Sequence, residues 1–223
     1  MKTLGLVTGL GMGAGIFYYR QLVSAYRVLG VHPQIVMVHA DVQKVMDLAL
    51  RREVSELATY LRGLLEQLKR GGADLGCIPA FSPQVCDAEL KAITPLPLLS
   101  PLDAIVQKAQ ESNHRRFVVL GAQVTMETQL FGRLKEFEIV GLPESDTDTV
   151  ASIYKLIAER EHATTEQFNT VSAIAQKAVT VSGADAVILA GTDFSFVFNE
   201  TNTNFPCIDG ARAHISALIE AMQ

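Results

Sequence analysis

Short apolar runs alternate along the chain with longer amphipathic segments. A short apolar run is typical of a buried strand, whereas apolar residues three and four positions apart are typical of a helix with one buried face. The pattern predicts strands at residues 4–8, 34–39, 75–78, 117–120, 138–140 and 186–189. It predicts helices at residues 15–28, 52–70, 101–110, 147–159, 165–181 and 210–222. Strands and helices that alternate in this way indicate βα units and a mainly parallel sheet.

The chain contains an internal repeat on either side of a proline-rich stretch at residues 94–101. In each half the tripeptide Gly-Ala-Asp, at residues 72–74 and 183–185, precedes a predicted buried strand that ends in small residues. Glycine commonly ends helices, so the tripeptide alone is also compatible with an ordinary helix-to-strand connection. The small residues that follow both strands favour a repeat.

The repeat predicts an α/β fold of two pseudo-symmetric parallel-sheet halves with a cleft between them. The first half comprises residues 1–97 together with the C-terminal helix at 208–223, which we expect to cross back and pack on the first half. The second half comprises residues 98–207. Ligands of parallel α/β sheets bind beside the carboxyl ends of the strands. We therefore expect a small-molecule site in the cleft.

Composition argues against several classes of function. The sequence is 48% hydrophobic and 19% charged, which suits a globular protein with a sizeable core. Its 19 basic and 24 acidic residues give a net charge of −5 without a basic cluster, so binding to nucleic acid or to a membrane surface has no electrostatic support. The three cysteines are few, odd in number and irregularly spaced. They indicate reduced thiols in a cytoplasmic protein, and neither a disulfide framework nor a metal site.

Several short motifs follow one another in an order that one enzyme superfamily shares. Residues 5–11 read GLVTGLG and are followed by a Tyr-Tyr pair at 18–19. Gly121 precedes Thr125 and a Met-Glu pair, and Asp209 and His214 stand at the start of the last predicted helix. In this order and spacing the motifs resemble those of the aspartate/glutamate racemase superfamily, over nearly the whole chain. The resemblance implies a homodimer that acts on a small amino acid or carboxylate without a cofactor.

The resemblance ends at the two cysteines on which racemisation depends in that superfamily. There, one cysteine follows the first-half strand as Cys-Asn-Thr, another follows the second-half strand as Gly-Cys-Thr-Glu, and the two face opposite sides of the substrate α-carbon. The matching positions here are Ala80, in the sequence AFS, and Gly191, in the sequence AGTD. Both stand equally far from the Gly-Ala-Asp of their half, which supports this register. Alanine and glycine carry no proton, so we do not expect two-cysteine racemisation.

None of the cysteines that are present matches a superfamily position. Cys77 falls inside an apolar strand and is expected to be buried there as a small hydrophobic residue. Cys86 is expected in the helix that follows, and Cys207 precedes the last helix. A racemase that uses one displaced cysteine is a further hypothesis, which alkylation of the thiols would test.

Three residues are candidates for acid/base catalysis. Thr192 and Asp193 retain a hydroxyl and a carboxylate where the superfamily has Thr-Glu, and burial would raise the pKa of such a carboxyl toward neutral pH. His39 ends the second predicted strand, and imidazole exchanges protons near neutral pH. We interpret Asp193, His39 and Thr192 as catalytic. Asp193 could instead serve only as a helix N-cap, His39 could only cap a loop, and Asp41 could be the N-cap of a following helix.

A carboxylate of the substrate is expected to bind backbone N–H groups and hydroxyls. Glycine lets backbone N–H groups approach an anion closely, although the N-terminal glycines could also serve only a strand-to-helix turn. A surface position on the last helix is the alternative for His214. The expected substrate-binding residues are Gly9, Gly11, Ser82, Thr125, Gly191 and His214. Candidates for contacting a second carboxylate are Arg20, Lys44, Arg133, Lys155 and Arg212.

The function that these residues support is a racemase-superfamily enzyme, isomerase-like or a lyase, that uses acid/base chemistry without cysteine and without a cofactor. The alternative is an inactive relative that binds a small carboxylate ligand. A nicotinamide cofactor is not expected, because the glycines at 9, 11 and 13 lack the dinucleotide-binding spacing and no acidic ribose ligand follows at the proper distance. No metal is expected either.

Overall fold

The computed structural model describes residues 1–199 and 201–223, with Met12 described by its backbone alone. The chain divides into two compact units, one formed by Met1–Pro101 with His214–Gln223 and the other by Leu102–Ala213. Each unit contains one four-stranded sheet. None of the described helices combines the length and the apolar character that crossing a membrane requires.

The sheet of the first unit has the strand order β2-β1-β3-β4, and all neighbouring strands are parallel. Its strands are β1 (Leu4–Thr8), β2 (Ile35–His39), β3 (Leu75–Cys77) and β4 (Leu98–Leu99). Its helices are α1 (Met12–Val28), α2 (Val42–Leu50), α3 (Val54–Arg70) and α4 (Asp87–Ile93), and a 3-10 helix spans Ser82–Cys86.

The sheet of the second unit has the equivalent order β6-β5-β7-β8 and is also parallel. Its strands are β5 (Arg116–Gly121), β6 (Glu138–Ile139), β7 (Ala186–Ala190) and β8 (Cys207–Asp209). The helices are α5 (Pro101–Glu111), α6 (Gln123–Glu127), α7 (Gln129–Gly132), α8 (Glu144–Arg160), α9 (Thr165–Thr180) and α10 (Phe194–Val197). The last helix, α11 (Gly210–Met222), belongs to the first unit from His214 onward.

Amphipathic helices build the core of the first unit around its sheet. Helix α3 contributes a buried leucine face, and each fully buried leucine stabilises the fold by about 1.5–3 kcal/mol. The side chains of this face are Leu57, Leu61, Leu64, Leu65 and Leu68. Helix α1 is fixed to α11, because the Tyr26 hydroxyl donates to the Ile219 carbonyl at 3.4 Å and Tyr18 hydrogen-bonds His214 at 3.0 Å. The predicted α/β fold class is confirmed.

The Gly-Ala-Asp tripeptide performs the same task in both units. The Asp74 carboxylate accepts a hydrogen bond from the backbone N–H of Thr3 at 2.7 Å, just before β1. The Asp185 carboxylate accepts from Arg115 at 2.8 Å and from Arg116 at 2.9 Å, at the start of β5. Each aspartate therefore ties the beginning of the third strand of its unit to the beginning of the first. The tripeptide is a helix-to-strand connection in each unit, and it recurs within the same topology.

Most differences from the predicted elements lie in short segments. The pattern predicts neither β4 nor β8, which contain two and three residues, and too few residues are present there for a period to be recognised. The predicted helix at 52–70 begins later, at Val54, because Arg52 has a φ of 56°, which a right-handed helix does not contain. Helix α2, which precedes it, is not among the predicted ranges.

Candidate active site

The carboxyl end of β7 places Asp193 in a buried position in the second unit. Only 7% of the residue is exposed, and its Oδ2 accepts a hydrogen bond of 2.8 Å from the Tyr154 hydroxyl. Its Oδ1 is buried and has no hydrogen-bond partner among the described residues. Burial raises the pKa of the Asp193 carboxyl, the hydrogen bond from Tyr154 opposes that rise, and the charge of Glu161 adds to it.

Asp193 precedes the single turn of α10, but its side chain makes no capping hydrogen bond to that turn. The alternative of an N-cap is therefore wrong for the carboxyl group. Asp41 does act as an N-cap, because its Oδ1 accepts from the backbone N–H of Lys44 at 3.1 Å at the start of α2. Two aspartates that both follow a strand thus have different tasks.

Tyr154, on α8, is the residue of this site that the sequence pattern does not reveal. Its ring stands directly over Gly191: a Cβ on Gly191 would lie 2.7 Å from Tyr154 Cζ, 2.9 Å from its hydroxyl oxygen, and closer still to Cε2. The ring also packs edge-on against Phe194, with the centroids 5.0 Å apart. Burial, and then the charge of Asp193, raise the pKa of the Tyr154 hydroxyl well above its usual value. A residue with a side chain at position 191 could not coexist with this ring position.

Two threonines complete the site in the second unit. Thr192, between Gly191 and Asp193, is buried. The Thr125 hydroxyl, also buried, donates to the Ala122 carbonyl at 2.6 Å and thereby fixes the turn that follows β5. Strands β5 and β7 are paired so that Gly121 lies beside Ala190, which brings both strand ends to one edge of the sheet. The structure thus collects Thr125, Gly191, Thr192 and Asp193 at this edge.

In the first unit the glycines after β1 and the end of β2 lie side by side. Gly9 has a φ of 84°, and Gly11, the N-cap of α1, has a φ of 110°, values that favour glycine. A Cβ on Gly9 would lie 2.6 Å from the Ala40 carbonyl oxygen and 2.9 Å from the ring of His39. His39 is exposed, so its imidazole covers Gly9 and remains accessible to solvent.

Ala80 and Ser82 follow β3 in the first unit. Ala80 is buried, and its carbonyl accepts a hydrogen bond of 2.8 Å from the side-chain amide of Gln84, itself hydrogen-bonded by the Ser100 hydroxyl at 3.3 Å. Ser82 is half-buried at the start of the 3-10 helix. The side chain of the buried Gln84 therefore fixes the loop that follows β3.

His214 is completely buried, with 0% of the residue exposed. Its Nε2 lies 3.1 Å from the Leu99 carbonyl oxygen and its Nδ1 lies 3.0 Å from the Tyr18 hydroxyl. A carbonyl only accepts, so a neutral imidazole carries its hydrogen on Nε2 and accepts from Tyr18 on Nδ1. The alternative of a surface histidine is wrong, and the ring connects α11 to α1 and β4.

Two of the three cysteines are held as neutral thiols. Cys77 is fully buried, as predicted, and burial raises its pKa strongly. Cys86 is also buried, its thiol donates to the Pro83 carbonyl at 3.2 Å, and burial, with a smaller effect of Glu89, raises its pKa to about 12. Cys207 is exposed. Since the thiolate is the reactive form, neither Cys77 nor Cys86 suits proton transfer.

The basic candidates are largely committed to other contacts. Arg133 is paired with Asp103, and the guanidinium Nε of Arg212 lies 3.1 Å from Asp209. The Lys44 ammonium stands over the ring of Tyr60 at 4.8 Å. Arg20 and Lys155 are exposed. Among the described residues, no group of three or more His, Cys, Asp or Glu is placed to hold a metal ion.

Comparison with known proteins identifies relatives over the whole length of the chain. A family model described as Asp/Glu/hydantoin racemase matches residues 7–218. The structure of a Yersinia pestis protein that carries a provisional Asp/Glu racemase designation has a TM-score of 0.86 at 23% identity, covering 100% of this chain and 99% of that chain. An aspartate racemase homologue from Pyrococcus horikoshii has a TM-score of 0.82 at 19% identity, covering 100% and 99%.

The aspartate racemase of Picrophilus torridus is similar as well, with a TM-score of 0.80 at 18% identity, covering 100% of this chain and 94% of that chain. At these identities the structural likeness establishes the fold. A search of curated proteins gives no significant sequence match.

Proposed function

The chain belongs to the Asp/Glu/hydantoin racemase family, and from this membership we propose that it is an enzyme that transfers protons on a small amino acid or carboxylate without using cysteine. The observation that carries the proposal is the buried carboxyl group of Asp193 beside Gly191 at the end of β7. A carboxyl whose pKa is raised by burial can both accept and release a proton closer to neutral pH than an exposed one.

In this proposal Asp193 and His39 are the proton-transfer groups, and the Thr192 hydroxyl assists at the same strand end as Asp193. Removal of a proton next to a carboxylate, or loss of carbon dioxide from it, creates a carbanion or enolate that N–H donors stabilise. Racemisation or another isomerisation, decarboxylation and elimination all pass through such a species. The proposal assigns these proton transfers to side chains of the protein itself, without a cofactor.

The proposed carboxylate-binding groups are the backbone N–H groups of Gly9, Gly11 and Gly191 and the hydroxyl of Ser82. Thr125 and His214 hydrogen-bond the protein itself, so we assign them the task of holding the strand-end loops that contact the substrate. A homodimer and a cytoplasmic location remain expectations that come from the family resemblance and from the reduced thiols.

A second candidate function is binding without turnover. Ala80 and Gly191 stand at matching positions of the two units, six residues after Asp74 and Asp185 respectively, and neither can carry a proton. A protein that kept the strand-end glycines and hydroxyls but lost both cysteines could bind a small carboxylate as a sensor. Binding alone does not require the raised pKa of the Asp193 carboxyl.

Proton NMR in D2O distinguishes the two functions. The purified protein is incubated with both enantiomers of aspartate and of glutamate and with small dicarboxylates, and loss of α-proton signals and appearance of new species are followed. We expect conversion or exchange of at least one compound, and we expect Asp193→Asn and His39→Gln to reduce conversion by about 10²-fold or more. The exposed residues Asp148 and His32 provide matched controls, Asp148→Asn and His32→Gln.

Line broadening with neither conversion nor exchange across the panel would favour the binder and contradict the enzyme. Conversion that survives in both Asp193→Asn and His39→Gln would leave an enzyme but refute the assigned groups. Alkylation of the accessible thiol should have no effect on turnover, because the proposal uses no cysteine.

A further inference from the structure

The position of Tyr154 determines what position 191 can contribute to chemistry. The phenol ring fills the space into which a side chain at 191 would project, and its hydroxyl oxygen lies 2.9 Å from the place of that Cβ. A thiol attached to the Cβ would extend only about one bond length further. Gly191 has no side chain that could carry a proton, and the Tyr154 ring places an O–H group at this end of β7.

The hydroxyl of Tyr154 is connected to a second proton-carrying group. It donates to Asp193 Oδ2 at 2.8 Å, while Asp193 Oδ1 is buried without a hydrogen-bond partner among the described residues. An ionised carboxylate with an unpartnered buried oxygen is costly, whereas a protonated carboxyl needs fewer partners. The Asp193 carboxyl can therefore hold a proton next to the phenol of Tyr154.

We propose that Tyr154 is the proton donor of the second unit, with Asp193 behind it as the group that restores its proton. The inference rests on the proposed function and names the residue that delivers the proton in it. In the step, Asp193 is protonated on Oδ2 and donates to the phenol oxygen, the O–H group of Tyr154 turns to the carbanion, and that O–H bond breaks as a C–H bond forms. The carboxyl proton of Asp193 then moves to the phenolate oxygen, and Asp193 is left ionised until solvent protonates it.

The electrostatics of the pair suit a donor and do not suit a base. Burial and the neighbouring Asp193 raise the pKa of Tyr154, so the phenol is protonated before each step. Abstraction of the first proton must then fall to another group, for which His39 is the proposed candidate. A variant that lacks the Tyr154 hydroxyl should therefore lose conversion to product while abstraction of the first proton continues.

The test is Tyr154→Phe, which keeps the ring over Gly191 and removes only the hydroxyl. In D2O, with aspartate and glutamate enantiomers as probes, two rates are measured: exchange of the α-proton in the unconverted compound, and conversion to product. We expect conversion to fall by about 10²–10⁴-fold while exchange persists. Tyr26→Phe is the matched control, because it removes a buried tyrosine hydroxyl that donates only to a backbone carbonyl.

Each other outcome overturns the inference in a recognisable way. Unchanged conversion in Tyr154→Phe would refute the donor while the proposed function stands. An equal fall in exchange and conversion would assign Tyr154 a structural task. A wild-type protein that neither exchanges nor converts any of the probes would refute the proposed function together with the inference. If Tyr154→Phe is not folded, as judged by its melting temperature, Asp193→Asn decides, since it should produce the same separation of exchange from conversion.

Discussion

Gly191 is a position at which the size of one side chain controls the arrangement of the site. A Cβ there would be 2.7 Å from Tyr154 Cζ, a distance at which atoms must move apart. We expect Gly191→Ala to lower the free energy of unfolding by about 1–3 kcal/mol through overpacking. In a Tyr154→Ala background the same change should cost almost nothing, because the ring is gone. Chemical denaturation of the four proteins of this cycle gives the coupling energy directly.

Gly63 provides the control for this experiment. It lies in the middle of α3, and outside its chain neighbours and the backbone of its own helix no atom lies within 4 Å of an added Cβ. Gly63→Ala should stabilise the protein by about 0.5–1 kcal/mol, as expected for glycine replacement in a helix. Equal costs of Gly191→Ala with and without the Tyr154 ring would mean that the ring does not occupy that space in solution.

The buried carboxyl of Asp193 makes stability depend on pH in a defined direction. Burial raises its folded pKa above the unfolded value of about 3.9, so the folded state favours the protonated form. That contribution to stability is complete below the unfolded pKa and is lost as pH rises through the folded pKa. Asp193→Asn cannot ionise, so its stability relative to wild type should increase as pH is raised from about 4 to about 7.

Thermal unfolding at several pH values measures this difference, with Asp148→Asn as the exposed control. Wild type must be subtracted because the partly buried Asp209 also has a raised pKa, which contributes equally to wild type and variant. A difference between Asp193→Asn and wild type that stays constant over this range would show that the carboxyl is not perturbed. A gain in stability with a loss of turnover would place Asp193 among active-site residues that are costly to the fold.

At the scale of elements, long helices and strands with a regular apolar pattern can be predicted from the sequence, whereas very short elements cannot. The leucine face of α3 and the apolar run of β1 each provide enough residues for their period to be recognised. The 3-10 helix Ser82–Cys86 and the turn α7 are too short for a period to be recognised. In α7, Gln129, Leu130 and Phe131 all have φ between 50° and 58°, a left-handed conformation that only Gly132 would suggest from sequence.

Some residues of the candidate site can be recognised from nearby sequence motifs, whereas others depend on contacts between distant parts of the chain. Gly191 and Asp193 could be found from sequence because they follow a repeated strand within a few residues of Gly-Ala-Asp. Tyr154 could not, because its partner Asp193 is 39 residues away along the chain and α8 gives no hint of the contact. Likewise the burial of His214 depends on Tyr18, which lies at the other end of the sequence.

At the scale of the whole molecule, the chain returns to its beginning to complete the first unit. The backbone N–H of Lys2 donates to the Met222 carbonyl at 2.8 Å, and His214 is hydrogen-bonded to Tyr18 and Leu99. All of these partners belong to one unit, although more than one hundred residues of Leu102–Ala213 separate them in sequence. The first unit is therefore discontinuous, whereas the second is a single stretch of chain.

This connectivity predicts how fragments of the protein fold. A fragment of residues 102–213 contains its own sheet and apolar core and should unfold cooperatively. A fragment of residues 1–101 should lack a cooperative transition, because removal of α11 exposes the α1 surface around Tyr18 that α11 covers. Joining residues 210–223 to that fragment through a flexible linker should restore the transition. Circular dichroism melts of the three fragments test this.

The linked fragment also separates packing from hydrogen bonding at the interface of α1 and α11. In that fragment, Tyr18→Phe removes the hydrogen bond between the Tyr18 hydroxyl and Nδ1 of the buried His214, which should cost about 1–3 kcal/mol. Cooperative melting of residues 1–101 without α11 would contradict the argument, since it would mean that the sheet and α3 alone stabilise the first unit. The terminal helix would then be dispensable for folding and needed only to hold β4 through Leu99.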